Sequence, residues 1–431
     1  MAGRVEYQGV AMNVGIVTTF PEDHSVGKSG VAAYVQTILD PLLGDRGDTF
    51  VILADTIDDG RLGAEEQYAP NVTVRRCWRF GHTSPLQILA EAMRHRFDVL
   101  HVEWEPYLFG GVVASLLLPF VLAAVRARGT RIVTTVHSVV PLSMVTREML
   151  RENGFVLPYS RIGRLGFKTI YGLLNWASDR LIVLDVELAT VLEREYLVRP
   201  SKLFVCPLPL MHETARPDMR EARRRLGIGD DKVALFFGYA SYYKGLDVLL
   251  DALDIARRTI PDITLHIIAG QHPRLRGEAR YEAFYRRLRE RASASGAVWH
   301  DRYVPEPQLA EFMSAADVIV LPYTVAYGAS SPLHAAFAAR KPVLVSTYLR
   351  FEGALPCQLF APDARSCAAA LVDYFERNAQ AISDRVEDIA RMHDRAVIAR
   401  MIHDVRTGRP CNEAAYVPPP PATATTSTER R

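Results

Sequence analysis

No C-x-x-C pair occurs among the five cysteines of this 431-residue chain, Cys77, Cys206, Cys357, Cys367 and Cys411. The odd count and wide spacing argue against a disulfide framework or a cysteine-built zinc site, and suit a reducing, cytoplasmic compartment. Charge of one sign is also missing. With 51 basic residues against 49 acidic ones, the net charge is +2, and no basic field for nucleic acid is expected. The N-terminal stretch MAGRVEYQGVAMN lacks the apolar core of a secretory signal. No G-x-G-x-x-G follows the first apolar run, which argues against a dinucleotide-dependent dehydrogenase. No D-x-D pair closes a strand-like run, so a metal held in that way is not expected.

Long uncharged runs are scarce too. YLFGGVVASLLLPFVLAAV, Tyr107 to Val125, is about long enough to span a bilayer. Gly110, Gly111 and Pro119 interrupt it, and strand-like runs continue on both sides, so a helix buried against a sheet is expected.

What the chain has in quantity is alternation. Short β-branched runs such as NVGIVTTF, TFVILAD, DVLHVEW, RIVTTVH and RLIVLD alternate with helical patterns, and VALFFGY, TLHIIAG, DVIVLPY and PVLVST repeat the rhythm. Runs apolar on both faces and separated by helices predict parallel sheets covered on both sides. Two such series predict two doubly wound α/β domains. The break falls in the polar stretch Met211–Lys232. The tail after Tyr416, VPPPPATATTSTERR, is rich in Pro and Thr and cannot bury a core.

In open α/β sheets ligands bind beyond the carboxyl ends of the strands, and the residues there carry the chemistry. Gly27-Lys28-Ser29 has the tail of a phosphate-binding loop, but the glycine such a loop needs five residues earlier is Glu22, so an NTPase is not expected. GYASYYKGLDVLLDAL places Lys244 after a strand and at the opening of a helix whose buried face is Leu246, Leu249, Leu250 and Leu253. A helix N-terminus plus a lysine suits a diphosphate, although a solvated lysine is the common alternative. YTVAYGASSPLHAAFAARKP predicts a helix starting near Pro332 with Ser331 as its N-cap. The Gly328–Ser331 amides and hydroxyls, Ser330 included, are candidates to receive phosphate or sugar oxygens.

Eight segments in one order resemble the retaining glycosyltransferases of family 4. They are the loop before GVAAYV, DVLHVEWEPYLFGG, IVTTVHSVVP, ASDRLIVL, FFGYASYYKGLDVLLDAL, LHIIAGQHP, HDRYVPEPQLAEFMSAADVIVLPY and GASSPLHAAFAARKPVLVST. The resemblance covers roughly residues 12 to 350. It implies a GT-B fold, two doubly wound Rossmann-like domains facing across a cleft. The N-terminal, acceptor-binding domain is expected over 1–215 and the C-terminal, nucleotide-sugar domain over 216–385. Helices over 386–415 are expected to cross back to the N-domain, and 416–431 form a disordered tail.

The resemblance also implies roles. Gly30 would lie beneath the donor diphosphate and sugar, where a missing side chain lets a ligand approach the backbone. Lys244 would contact the diphosphate and steady the leaving group, and His137 would approach the transferred sugar. Gly270, Gly328, Ser330 and Ser331 would help hold the donor. Tyr303 and Val304 match the loop on which the base rests. A pair of glutamates eight apart, usual in the family, is replaced at the matching positions by Tyr327 and Ala335. The arginine that often accompanies the lysine is absent near Tyr239 and Ser241.

The implied reaction moves a sugar from a nucleoside-diphosphate sugar, UDP- or GDP-linked first of all, to an acceptor hydroxyl with retention. It needs neither cofactor nor metal. Glu105 is an acceptor-contact candidate, and the acceptor itself, whether glycan, lipid-linked or natural-product aglycone, is open. Arg147, Arg151, Arg161, Arg164 and Lys168, mixed with apolar residues, also admit a peripheral contact with the inner membrane face. The missing glutamates leave a non-catalytic sugar-nucleotide-binding protein as the alternative. A sugar-nucleotide epimerase is less favoured, since it needs acid and base carboxylates at those empty positions.

Overall fold

The computed structural model describes residues 11–21, 30–43, 47–56, 62–106, 108–152, 159–210, 217–272, 275–301, 304, 306–325, 330–351 and 353–408. The chain divides into two compact units, one reaching Pro209 and the other starting at Leu210. Residues 395–408 return to the first unit.

The first unit carries an eight-stranded sheet of β1 (Asn13–Thr18), β2 (Thr49–Asp55), β3 (Ala64–Ala69), β4 (Val72–Trp78), β5 (Val99–Trp104), β6 (Arg131–Val136), β7 (Arg180–Val183) and β8 (Leu203–Val205). Their spatial order is β3-β4-β2-β1-β5-β6-β7-β8. All neighbours are parallel except β3, which lies antiparallel to β4. The sequence reading missed β3. None of its residues AEEQYA is fully buried, so it has no doubly apolar pattern to detect, and it caps an edge where polar residues are tolerated.

The helices of this unit are α1 (Gly30–Leu39), α2 (Ser84–Ala92), α3 (Gly111–Arg126), α4 (Arg147–Glu152), α5 (Ser160–Ala177) and α6 (Val186–Tyr196). In the second unit α7 (Met219–Leu226), α8 (Leu246–Ala256), α9 (Ala279–Ala294), α10 (Glu306–Ala315), α11 (Ser331–Ala338), α12 (Ala364–Asp373) and α13 (Ala379–Met392) surround six strands. α14 (Arg395–Thr407) belongs to the first unit.

The six strands are β9 (Lys232–Phe237), β10 (Ile263–Ile268), β11 (Val298–His300), β12 (Val318–Leu321), β13 (Val343–Ser346) and β14 (Leu359–Phe360). Their order is β11-β10-β9-β12-β13-β14, all parallel. Central strands such as β9 and β12 are buried along nearly their whole length, as double coverage by helices requires.

Each sheet reverses its strand order once, between β1 and β5 in the first unit and between β9 and β12 in the second. Such reversal points leave a crevice at the carboxyl ends of the strands, because successive crossovers run to opposite sides. The long uncharged run is α3, and among the described residues no helix is long and apolar enough to cross a membrane. The expectation of a buried helix is half met. Ala114, Leu118, Leu122 and Val125 face the core, but Val112, Val113, Leu117 and Phe120 face solvent.

Candidate active site

Strand β5 is the most buried segment of the first reversal point, and two of its six residues are polar. His101 and Glu103 alternate along VLHVEW and so lie on one face, each fully buried. A buried charge must be paired, and these are. His137 follows β6, and its Nε2 sits 2.9 Å from Glu103 Oε2. His101 Nε2 is 2.7 Å from Thr135 Oγ1 and 3.4 Å from Glu103 Oε1. From α14, Arg406 Nε donates to His101 Nδ1 at 2.8 Å. That donation fixes the His101 tautomer, because Nδ1 must be free of hydrogen and the ring proton lies on Nε2.

Burial pushes the His101 pKa down to about 3, and the Arg406 charge adds to this against the pull of Glu103. Burial would raise the Glu103 carboxyl, but the facing rings of His101 and His137 and the Arg406 charge outweigh it and hold it below its usual range. The network is therefore a carboxylate and a guanidinium bridged by a neutral imidazole, with His137 at its outer end. Tyr34, one turn into α1 from Gly30, meets the His137 ring edge-on at 4.9 Å between centroids. Gly30 is the exposed first residue of α1.

The sequence reading picked His137 but not Arg406, which is 305 residues from its partner. Glu105, the acceptor-contact candidate, lies half-buried in the turn after β5, where its carbonyl accepts from Leu108 N. It is outside the hydrogen bonds of this network, which uses Glu103.

The second reversal point is arranged differently. Lys244 closes a short 3-10 turn, Tyr242–Lys244, after β9. Gly245 then turns into α8 with φ of +66°, and a Cβ there would lie 1.9 Å from the Pro322 carbonyl oxygen, so only glycine fits. Lys244 is 7% exposed. No hydrogen bond or ion pair of its ammonium group occurs among the described residues; Nζ lies over the Tyr323 ring, 5.6 Å from the centroid. Burial alone pulls its pKa down to about 8.

Gly238 lies against it. A Cβ there would come 2.6 Å from Lys244 Nζ and 3.6 Å from Pro332 Cγ in the first turn of α11. The unpaired cation, the glycine backbone and a helix N-terminus are thus neighbours. Ser241, which opens the turn, has a buried hydroxyl without a partner among the described residues.

The N-cap of α11 is Ser330, not Ser331 as the sequence suggested. Ser330 Oγ accepts from Leu333 N at 3.4 Å and donates to the Tyr323 hydroxyl at 3.3 Å. The helix starts one residue earlier than Pro332 because Pro occupies its second position without needing an N–H. Ser331 is exposed on the first turn.

Beside Gly238 opens a cavity of about 1200 Å³ that also includes Tyr239, Gly270, Trp299, Asp301 and Val304. The structure therefore brings Gly270 and Val304 to one pocket. Arg289 and Asp301 form an ion pair of 2.6 Å in its wall. Tyr303, Gly328 and Tyr327 lie outside the described residues, as does the loop before Gly30. Ala335 sits half-buried on α11. Among the described residues, no three His, Cys, Asp or Glu side chains gather in a way that could hold a metal ion.

Comparison with known proteins bears directly on this pair of sites. The family model described as Glycosyltransferase Family 4 matches residues 28–210, and that described as Glycosyl transferases group 1 matches residues 231–377. Between them they take in β5 of the first reversal point and both strands of the second. The chain has the GT-B fold, and each of its halves matches a glycosyltransferase family model.

Other comparisons agree with that placement. The GT-B chain is 33% identical over 138 residues to the D-inositol 3-phosphate glycosyltransferase of Jonesia denitrificans, a match spanning 30% of each protein. Against the enzyme of the same name from Thermomonospora curvata it is 29% identical over 200 residues, 44% of this chain and 45% of the relative. The chain thus aligns with less than half the length of these relatives. Among solved structures, sucrose-phosphate synthase from Thermosynechococcus elongatus superposes with a TM-score of 0.67 at 16% identity, over 92% of this chain and 98% of that one. Anabaena HepE, crystallised with UDP, gives 0.65 at 16%, over 92% and 100%. At such low identity these likenesses bear on the fold alone.

Proposed function

We propose that this GT-B protein transfers a sugar from a nucleoside-diphosphate sugar to an acceptor hydroxyl with retention of configuration. One observation carries the reading. Among the described residues Lys244 is a buried ammonium without a carboxylate, set against Gly238 and the first turn of α11, and a buried cation left unpaired is costly unless a ligand supplies the anion. A diphosphate has the charge and the acceptor oxygens for that position, and helix N-termini favour it further. The adjoining cavity, with Gly270, Trp299 and Val304, has room for a nucleoside. The complex of HepE with UDP supports a uridine donor as the first to test.

In this reading Lys244 and the amides near Ser330 and Ser331 take up charge that grows on the diphosphate as the glycosidic bond breaks. Charge-matched, water-poor surroundings of that kind are a major source of catalysis. The departing diphosphate then accepts the proton of the acceptor hydroxyl on the same face of the sugar, so no protein carboxylate need serve as base and no metal is required. In the first unit, Gly30 opens α1 with a backbone that a ligand can approach. His137 holds a sugar hydroxyl through Nδ1, while Glu103 fixes its ring through Nε2.

Thermal stability is the direct test, measured with UDP, GDP, ADP and TDP on the wild type and on Lys244→Ala. At about a hundred times the dissociation constant, a bound nucleotide adds about 2.7 kcal/mol. One nucleotide should stabilise the wild type and lose most of its effect on Lys244→Ala. If none stabilises the wild type, the donor reading fails. Binding without product across an acceptor panel would instead favour a non-catalytic sugar-nucleotide-binding protein, which the alanine at position 335 would help to explain.

A further inference from the structure

Helices α3 and α5 together contain no Asp or Glu. Their solvent faces are unusual in a second way. On α3 the outward positions Val113, Leu117 and Phe120 follow helical spacing, and Val113 and Phe120 are each 54% exposed. On α5, Leu165 and Trp176 stand about three turns apart on one face, with exposures of 66% and 48%. The two helices pack together, and Phe120 and Trp176 meet with ring centroids 6.0 Å apart. The apolar positions therefore join into a patch rather than scattering singly, and patches of that kind mark binding surfaces.

Cations edge it. Arg126 ends α3, lies over the Trp176 ring at 5.8 Å and donates to the Trp176 carbonyl at 2.8 Å. Arg161, Arg164 and Lys168 line a shallow cleft of about 470 Å³ with Leu165, Leu142 and Ser143. The carboxylates that would pair such residues in an ordinary solvated helix are missing from both helices, whereas α7 and α9 carry acidic residues among their arginines.

We infer that the α3–α5 face docks on an anionic lipid surface, with the apolar side chains entering the headgroup boundary and the arginines and lysine meeting lipid phosphates. Exposed apolar groups, interfacial aromatics and a basic edge whose own helices carry no carboxylate, Glu195 being engaged by the Leu142 amide, are the chemistry that such a surface rewards. At 16 residues α3 is about 24 Å long, short of the roughly 30 Å hydrocarbon core, so it lies along the membrane rather than through it. This surface is independent of the donor reading.

The experiment is co-sedimentation of the full chain with phosphatidylcholine vesicles, with and without about one-third phosphatidylglycerol, at low and high salt. Wild type should bind the anionic vesicles and leave them as salt rises. Each basic side chain near the surface contributes about fivefold to partitioning, so Arg161→Gln/Arg164→Gln/Lys168→Gln should bind roughly a hundredfold more weakly. Leu117→Gln/Phe120→Gln should lose binding while its melting temperature, with and without UDP, stays at the wild-type value.

Absence of binding by the wild type overturns the inference, as does equal binding to both kinds of vesicle. A concentration-dependent dimer that Leu117→Gln/Phe120→Gln dissolves would assign the face to a second copy of this chain and overturn it too. A nucleotide-induced shift that persists while vesicle binding fails would reject the lipid surface and leave the donor site standing.

Discussion

Two reversal points in one chain carry ionisable groups in opposite states of balance. In the first unit Glu103 is completely buried, yet it faces His101 and His137, with Arg406 closing the far side. In the second unit Lys244 is almost as buried and faces an aromatic ring and backbone. The chain itself supplies opposite charge and ring partners to Glu103, although both terminal nitrogens of Arg406 are buried without a hydrogen bond among the described residues. A charge without a partner among the described residues is, in the proposed reading, the one a bound anion would pair.

The sharpest way to break it is Glu103→Gln. The carboxamide keeps the shape but leaves Arg406 buried without its counter-charge, and breaking a buried pair costs about 3–5 kcal/mol. Chemical denaturation at neutral pH should show a loss of that size. Lys244→Ala should act on the reaction instead. If the lysine stabilises the leaving diphosphate, kcat/KM should fall by about 10²–10³ in a transfer assay, with no loss of stability in the ligand-free protein.

Lys244→Met sharpens the contrast further. The folded pKa of about 8 lies below the ordinary 10.5, so the charged form is disfavoured by folding. That cost is fully present below pH 8 and disappears as pH rises to about 10.5. At pH 7 the substitution should therefore raise the stability of the ligand-free protein by about 1–3 kcal/mol, seen as a higher denaturation midpoint. A loss of stability would mean that the ammonium group already has a partner.

The same titration predicts the pH profile of nucleotide binding. Above about pH 8 the free protein loses the Lys244 proton, and affinity should fall by up to about tenfold per pH unit. Calorimetry on the wild type and on Lys244→Arg checks this, because arginine stays charged and should flatten the profile. The smallest effect is expected from Ser330→Ala. Loss of the N-cap of α11 should cost about 1 kcal/mol in thermal unfolding and weaken nucleotide binding only modestly.

Much of this was legible in the residues. The doubly apolar runs placed the central strands of both sheets, and Gly-Leu after Lys244 placed α8. His137 was marked by the family resemblance, which says nothing of its contact with Glu103. Ser331 was chosen over Ser330 because the residue before a proline looks like a cap, whereas the hydrogen bond from Leu333 N selects Ser330. β3 escaped because an edge strand need not be apolar. The apolar outer face of α3 escaped for a different reason: a run apolar all round does not say which side is covered.

The order of residues by itself determined the α/β alternation, the strands that must be buried, and the loops from which chemistry could come. These are local properties, set by side-chain period and turn chemistry. Only the tertiary structure decided that Arg406 joins the Glu103 network from 305 residues away, that no described residue pairs Lys244 in the same way, and that α3 and α5 merge their exposed faces. Whether a charge or an apolar side chain is satisfied depends on what stands a few ångströms away, and in a folded chain those neighbours come from any distance in sequence.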